Sequence, residues 1–215
     1  MHIFEKFSKN IGNHNFHPHI YSEKKLGGGT ILDLGVYVIQ LACLVFNHEK
    51  PTAIKALGHV NSDGVDLSVS ATLTYKNERT ATILTQSMVT LPNEAQIIGT
   101  KGIISIPQFW SPPKINLPTG VIEVPLPQTK IKLNYINSAG LSYEAAEVRD
   151  CLKKGNYFYT VIFRFLCPCI LIRILTNVFQ GLKESPKVSH AHSLLIAEIE
   201  DELRRQIGVV YDADK

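Results

Sequence analysis

VDLSVSATLTYKNERTATILTQSMV, residues 65–89, decides the fold. Val65, Leu67, Val69, Ala71, Leu73 and Tyr75 alternate with Asp66, Ser68, Ser70, Thr72 and Thr74. That period of two makes a strand with one dry face and one hydroxyl-rich face. Lys76-Asn77-Glu78 supplies a turn, and residues 80–89 return as the partner strand. Further out, residues 52–60, 95–98 and 103–106 read as short strands, with Gly99 and Lys101-Gly102 turning between the last two. Connections this short require antiparallel pairing, because a parallel crossover needs about a dozen residues or more.

The dry face needs a cover, and candidates stand on both sides. Upstream, after Gly27-Gly28-Gly29, residues 30–46 (TILDLGVYVIQLACLVF) are apolar on nearly every face, as in a helix buried all round. Asp33, Tyr37 and Gln40 are its polar exceptions. Downstream, Ser142 is placed to cap a helix reaching Leu152, with Ala145, Val148 and Leu152 on one face. A last helix begins near Ser189 and stops before Gly208, with a stripe of Leu195, Ile196, Ile199, Leu203 and Ile207. Residues 107–127 are a Pro-rich connection holding Trp110 and a short edge strand at 121–124. Residues 1–25 are polar, show no periodicity and read as an irregular leader. The predicted class is α+β, a predominantly antiparallel open sheet with helices packed on one face. Residues 26–155 and 181–215 form its single domain.

At 215 residues, 45% hydrophobic and 19% charged, the composition is that of a folded globular chain. A net charge of +3, with Lys and Arg scattered, gives no track for a phosphate backbone and excludes nucleic acid as a partner. Cys43, Cys151, Cys167 and Cys169 lack metal-site or redox-motif spacing. They read as reduced thiols of a cytoplasmic protein, with no metal expected. The opening MHIFEKFSKN lacks the apolar core of a secretory signal.

GGGTILDLGVYVIQLACLVF (27–46) resembles the helix that opens the second domain of the dimeric dihydrodiol dehydrogenases, members of the glucose–fructose oxidoreductase and inositol dehydrogenase family. The likeness continues through GVDLSVSATLTY (64–75), IIGTKGIISI (97–106) and SAGLSYEAAEVRDCLKKG (138–155), and resumes at GLKESPKVSHAHSLLIAEIEDELRRQIGV (181–209). The resemblance implies NADP-dependent oxidation of trans-dihydrodiols to catechols and of D-xylose and related aldoses to the lactone. It also implies a homodimer formed through the open sheet and a separate Rossmann domain for the cofactor.

Such a Rossmann domain needs a strand, a G-x-G-x-x-G turn and a helix, so that backbone amides and the helix dipole hold the pyrophosphate. No such pattern occurs, and residues 27–29 follow a charged stretch rather than a buried strand. The expectation is therefore the family's C-terminal domain only, without cofactor-binding residues and inactive alone. Glu49-Lys50-Pro51 is similar to the family's catalytic Glu-Lys-Pro, but it sits in a helix-to-sheet loop, so Lys50 reads as solvated and the catalytic lysine as absent. Asp33 and Tyr37 do match family site positions. The resemblance gives Tyr37 a hydrogen bond to the reacting substrate oxygen, or a part in helping a lysine accept its proton, and gives Asp33 the task of orienting that pair. The residues alone also allow a structural reading, with Thr30 and Asp33 as a variant capping box and Tyr37 as a buried aromatic.

Residues 156–180 (NYFYTVIFRFLCPCILIRILTNVFQ) interrupt the family register between Gly155 and Gly181 and contain no acid. Three readings stand: translated non-coding sequence or a splice variant, a membrane-spanning or membrane-surface helix, or a family-specific insertion packed on the domain. Arg164, Pro168 and Arg173 weigh against the membrane helix. Two other functions follow for the whole chain: a non-catalytic partner pairing with full-length subunits, or a membrane-tethered binding module.

Overall fold

The computed structural model describes residues 2–8, 23–133, 137–154 and 184–214. The segment 156–180 lies outside them. The chain divides into two compact units, Met1–Pro125 with Leu194–Lys215, and Leu126–Ser193.

The first unit is built on an eight-stranded sheet. Its strands are β1 His2–Ser8, β2 Ala53–Val60, β3 Asp66–Thr74, β4 Thr80–Gln86, β5 Glu94–Gly99, β6 Gly102–Pro107, β7 Lys114–Leu117 and β8 Gly120–Glu123. Their order in space is β2-β3-β4-β1-β5-β6-β7-β8. Every pairing is antiparallel except β1 with β4. The predominantly antiparallel sheet is thus as the alternation predicts, but the irregular leader is a correction. Residues 2–8 form the strand that joins two meanders, with His2 opposite both Thr80 and Ile98. HIFEKFS mixes apolar and charged residues at both parities, so a period-two test finds nothing in it. A further strand, β7, lies inside the Pro-rich connection and pairs with β8.

Cross-strand rows show why one face is covered. Ile54, Leu73 and Ala81 lie side by side, as do Ala56, Ala71 and Ile83. These rows join the core with Ala95 and Ile106. The cover is one π turn, Ile31–Gly35, continuing into α1, Val36–Val45, together with the part of the last helix that belongs to this unit. Ile31, Val38, Ile39, Ala42, Cys43 and Phe46 are buried from the first, and Leu195, Ile196, Ile199 and Leu203 from the second. By length and composition Lys24–Val45 would suffice to cross a membrane, but 56% of its apolar window is buried here, as in a core helix.

The last helix, His190–Ile207 and named α3 below, stops where Gly208 adopts φ 79°. Its Gln206 amide accepts from the Ala56 N–H and donates to the Ile54 carbonyl, both at 2.8 Å. A side-chain amide thereby satisfies the edge of β2 as another strand would. Glu200, half-buried on the same helix, has a buried Oε1 with no hydrogen-bond partner.

In the second unit, α2 (Leu141–Lys154) follows a short 3-10 turn, Ser138–Gly140. Glu147 accepts from Ser185 at 2.8 Å and pairs with Lys187 at 2.5 Å, and these two partners hold its carboxyl down to about 2. The stripe expected on α2 is not buried: Ala145 and Val148 are exposed and Leu152 half-buried.

Burial, reinforced by neighbouring Asp201, pushes the Glu200 carboxyl from 4.5 up to about 7. The folded chain therefore keeps a proton that the unfolded chain has lost. The stability this group contributes is full below its unfolded value and lost as pH rises through about 7. Glu200→Gln should leave urea unfolding unchanged at pH 4 and stabilise the chain by about 1–2 kcal/mol at pH 8. A gain independent of pH would remove this account.

Candidate functional site

Helical residues 31–45 have one half packed on the sheet and one half not. The uncovered half carries Leu32, Asp33, Tyr37, Gln40 and Leu44, all half-buried or exposed, while Val36 and Leu41 at its margin pack against the core. Asp33 is half-buried inside the π turn, and Tyr37, 42% exposed, stands in the first turn of α1. The two matched residues thus share the uncovered side. Tyr37 is not a buried aromatic, and the Thr30 side chain makes no capping bond to its own helix. A lone π turn is rare and recurs at functional sites.

The start of this helix is held by a residue that the alternation placed on the hydroxyl-rich face. Asp66, at the head of β3, is 1% exposed. Its Oδ2 accepts from the Ile31 N–H and from the Thr30 hydroxyl, each at 2.8 Å. Thr30 has a single hydroxyl hydrogen, already given to Asp66. The 2.8 Å contact between Thr85 Oγ1 and Thr30 Oγ1 therefore has Thr85 as donor. Asp66 supplies the acceptor and negative charge that a helix N-terminus prefers. Tyr211, buried in the segment after α3, donates to the Gly28 carbonyl at 2.6 Å, and burial beside Asp66 pushes its hydroxyl up to about 12. Gly29, at φ 135°, packs so close that a Cβ there would lie 2.2 Å from Asp66 Oδ1. This approach accounts for the glycine at position 29. The signal available in the sequence was a lone acid opening an otherwise hydroxyl-bearing strand face.

Lys50 lies in the loop between α1 and β2, its side chain 73% exposed and paired with Glu198 at 2.6 Å. Glu49 pairs with Arg79, whose guanidinium stands 5.3 Å above the Phe46 ring. Both are held by residues outside the loop, Glu198 of α3 and Arg79 just before β4. A groove of about 410 Å³ runs past Lys50 and Pro51 along α3. Its charges are already matched, Lys50 to Glu198 and Arg205 to Glu202. Among the described residues no three His, Cys, Asp or Glu gather as a metal site.

Residues 6–105 match the GFO/IDH/MocA C-terminal domain. The chain is 40% identical over 193 residues to a trans-1,2-dihydrobenzene-1,2-diol dehydrogenase of Danio rerio, covering 89% of this chain and 50% of that protein. It is 31% identical over 211 residues to the Homo sapiens protein of that name, covering 98% and 54%. The chain therefore spans about half the length of these curated relatives. An aldose-aldose oxidoreductase from Caulobacter crescentus, solved with glycerol, shares the fold with a TM-score of 0.63 at 17% identity, covering 95% of this chain and 52% of that one. GenD2 from gentamicin A biosynthesis, solved with NAD, gives 0.60 at 12% identity, covering 96% and 53%.

Gly29→Ala forces a side chain into Asp66 at a φ that L-residues avoid. It should destabilise the chain by about 3 kcal/mol or more, read by urea unfolding. Gly27→Ala, also at positive φ but with no neighbour within 4 Å, should cost only about 1 kcal/mol. Equal costs would show that contact with Asp66 is not what selects glycine.

Proposed function

We propose that this chain is a member of the GFO/IDH/MocA family, its residues 6–105 matching that family's C-terminal domain, and that it forms the substrate-facing wall and dimer sheet of an NADP-dependent dehydrogenase. Its substrates in this reading are trans-dihydrodiols, oxidised to catechols, and D-xylose, oxidised to its lactone. The observation that carries the reading is the placement of Asp33 and Tyr37, side by side in sequence register on the uncovered half of an anchored helix, in a chain up to 40% identical to dihydrodiol dehydrogenases.

Residues 27–29 do not fit the cofactor's pyrophosphate. The helix N-terminus behind them is filled by the Asp66 carboxylate, which would repel a phosphate. NADP is therefore assigned to residues other than these. What this chain contributes is substrate alignment. A carbinol losing its hydroxyl proton as its carbon is oxidised needs a fixed hydrogen-bond partner at that oxygen. Tyr37 supplies the hydroxyl, and Asp33 the charge that orients it.

The opposite face of the sheet serves dimerisation. Leu57, 82% exposed, stands in a cross-strand row with Ser70 and Leu84, beside the row of Lys55, Thr72 and Thr82. Hydroxyl and aliphatic rows without a covering helix suit a self-complementary contact with a second copy. The same face would serve a non-catalytic partner pairing with longer subunits.

In an active assembly containing this chain, Tyr37→Phe should lower kcat for diol oxidation by about 10- to 100-fold with the KM for NADP within about twofold. Unchanged turnover removes Tyr37 from the site. Leu57→Glu should convert dimer to monomer in sedimentation velocity. A wild-type chain that sediments as a monomer at every concentration sinks the dimer reading.

A further inference from the structure

Two features of the site helix fit together only if its first turn is held from outside. A π turn spends more residues per turn than an α helix and is uncommon without a local cause. Relaxing Ile31–Gly35 to α geometry would swing Asp33 around the axis relative to Tyr37, which lies beyond the turn in α1. Asp66 grips this turn at its first residue, through the Ile31 N–H and the Thr30 hydroxyl. The grip comes from the sheet, since Asp66 opens β3 and Thr85, the outer donor, lies in β4. Asp66 Oδ1 has no partner and is buried against Gly29, so the carboxylate has little room to turn away. A buried carboxylate whose accepted bonds all serve one helix terminus costs several kcal/mol to desolvate. Helix stability alone asks for less: an ordinary exposed Ser or Asp at the cap contributes about 1 kcal/mol without that cost.

We propose that Asp66 is the positioning residue of the Asp33–Tyr37 face, transmitting the rigidity of β3 and β4 to the π turn and so fixing the rotation of Asp33 relative to Tyr37. The inference rests on the substrate-wall reading for its functional meaning, but its geometry can be tested without it.

The test is hydrogen exchange followed by mass spectrometry on the full 215-residue chain. In Asp66→Ala, peptides covering residues 31–37 should exchange at least about tenfold faster, while residues 39–45 keep wild-type protection. Asp66→Asn keeps a carbonyl oxygen that can accept both bonds, so it should restore most of the protection. Should Asp66→Ala fail to fold, Thr30→Val deletes one of the two donors and carries the same expectation at about threefold. Wild-type protection over 31–37 in the folded variants overturns the proposal, as does an Asn variant as unprotected as Ala. In an active assembly, Asp66→Ala should lower kcat at least about tenfold with the KM for NADP unchanged, and Asp66→Asn should recover it. An effect confined to KM also overturns the proposal. If exchange behaves as stated while Tyr37→Phe leaves turnover intact, the positioning stands and the catalytic reading falls.

Discussion

One buried carboxylate organises the start of the helix that carries Asp33 and Tyr37. Asp66 leaves water to accept two hydrogen bonds, and both donors belong to the start of one helix. Removing either donor would leave a buried charge under-satisfied, a penalty well above an ordinary surface cap. The neighbouring choices follow from it. Thr30 must bear a hydroxyl, Thr85 must donate to it, and Gly29 must lack a side chain. Tyr211 closes the arrangement from the C-terminal segment by holding the Gly28 carbonyl. Arg204 stands 5.1 Å from the Tyr211 ring and binds Asp214 at 2.7 Å, so the segment is held by charge as well as packing.

That anchoring lets a single helix serve two environments. Its sheet-facing half is packed by β-strand rows and α3, while the other half is left for Asp33, Tyr37 and the exposed Leu32 and Leu44. An apolar pattern on all faces ordinarily signals complete burial. Here Leu44 is 61% exposed, so the second half of the pattern serves something other than the core of this unit.

Much of the architecture was legible because periodicity reports burial. The alternation over residues 65–89 gave β3 and β4, and Gly208 marked the end of α3. What escaped is physically coherent. β1 carries charged and apolar residues at both parities, and its partners are remote in sequence, so no local test finds it. β7 hides among prolines. Asp66 fell into the polar phase of its strand, and only the tertiary arrival of Thr30 and Ile31 makes it a buried cap. Asp33 and Tyr37 were singled out only by likeness to a family. Neither propensity nor spacing separates a site residue from a capping acid or a core tyrosine.

The place of β1 bears on how the sheet is assembled. β2 to β4 and β5 to β8 are each joined by neighbouring segments of chain, so each can zip from its own turns. The strand between them comes earliest in this sequence and has both of its ladders with distant segments. Loop-closure entropy therefore falls almost wholly on one event, the insertion of residues 2–8 between two preformed ribbons. Until that event each ribbon presents a bare edge, and the half-assembled chain is the species most exposed to pairing with a stranger.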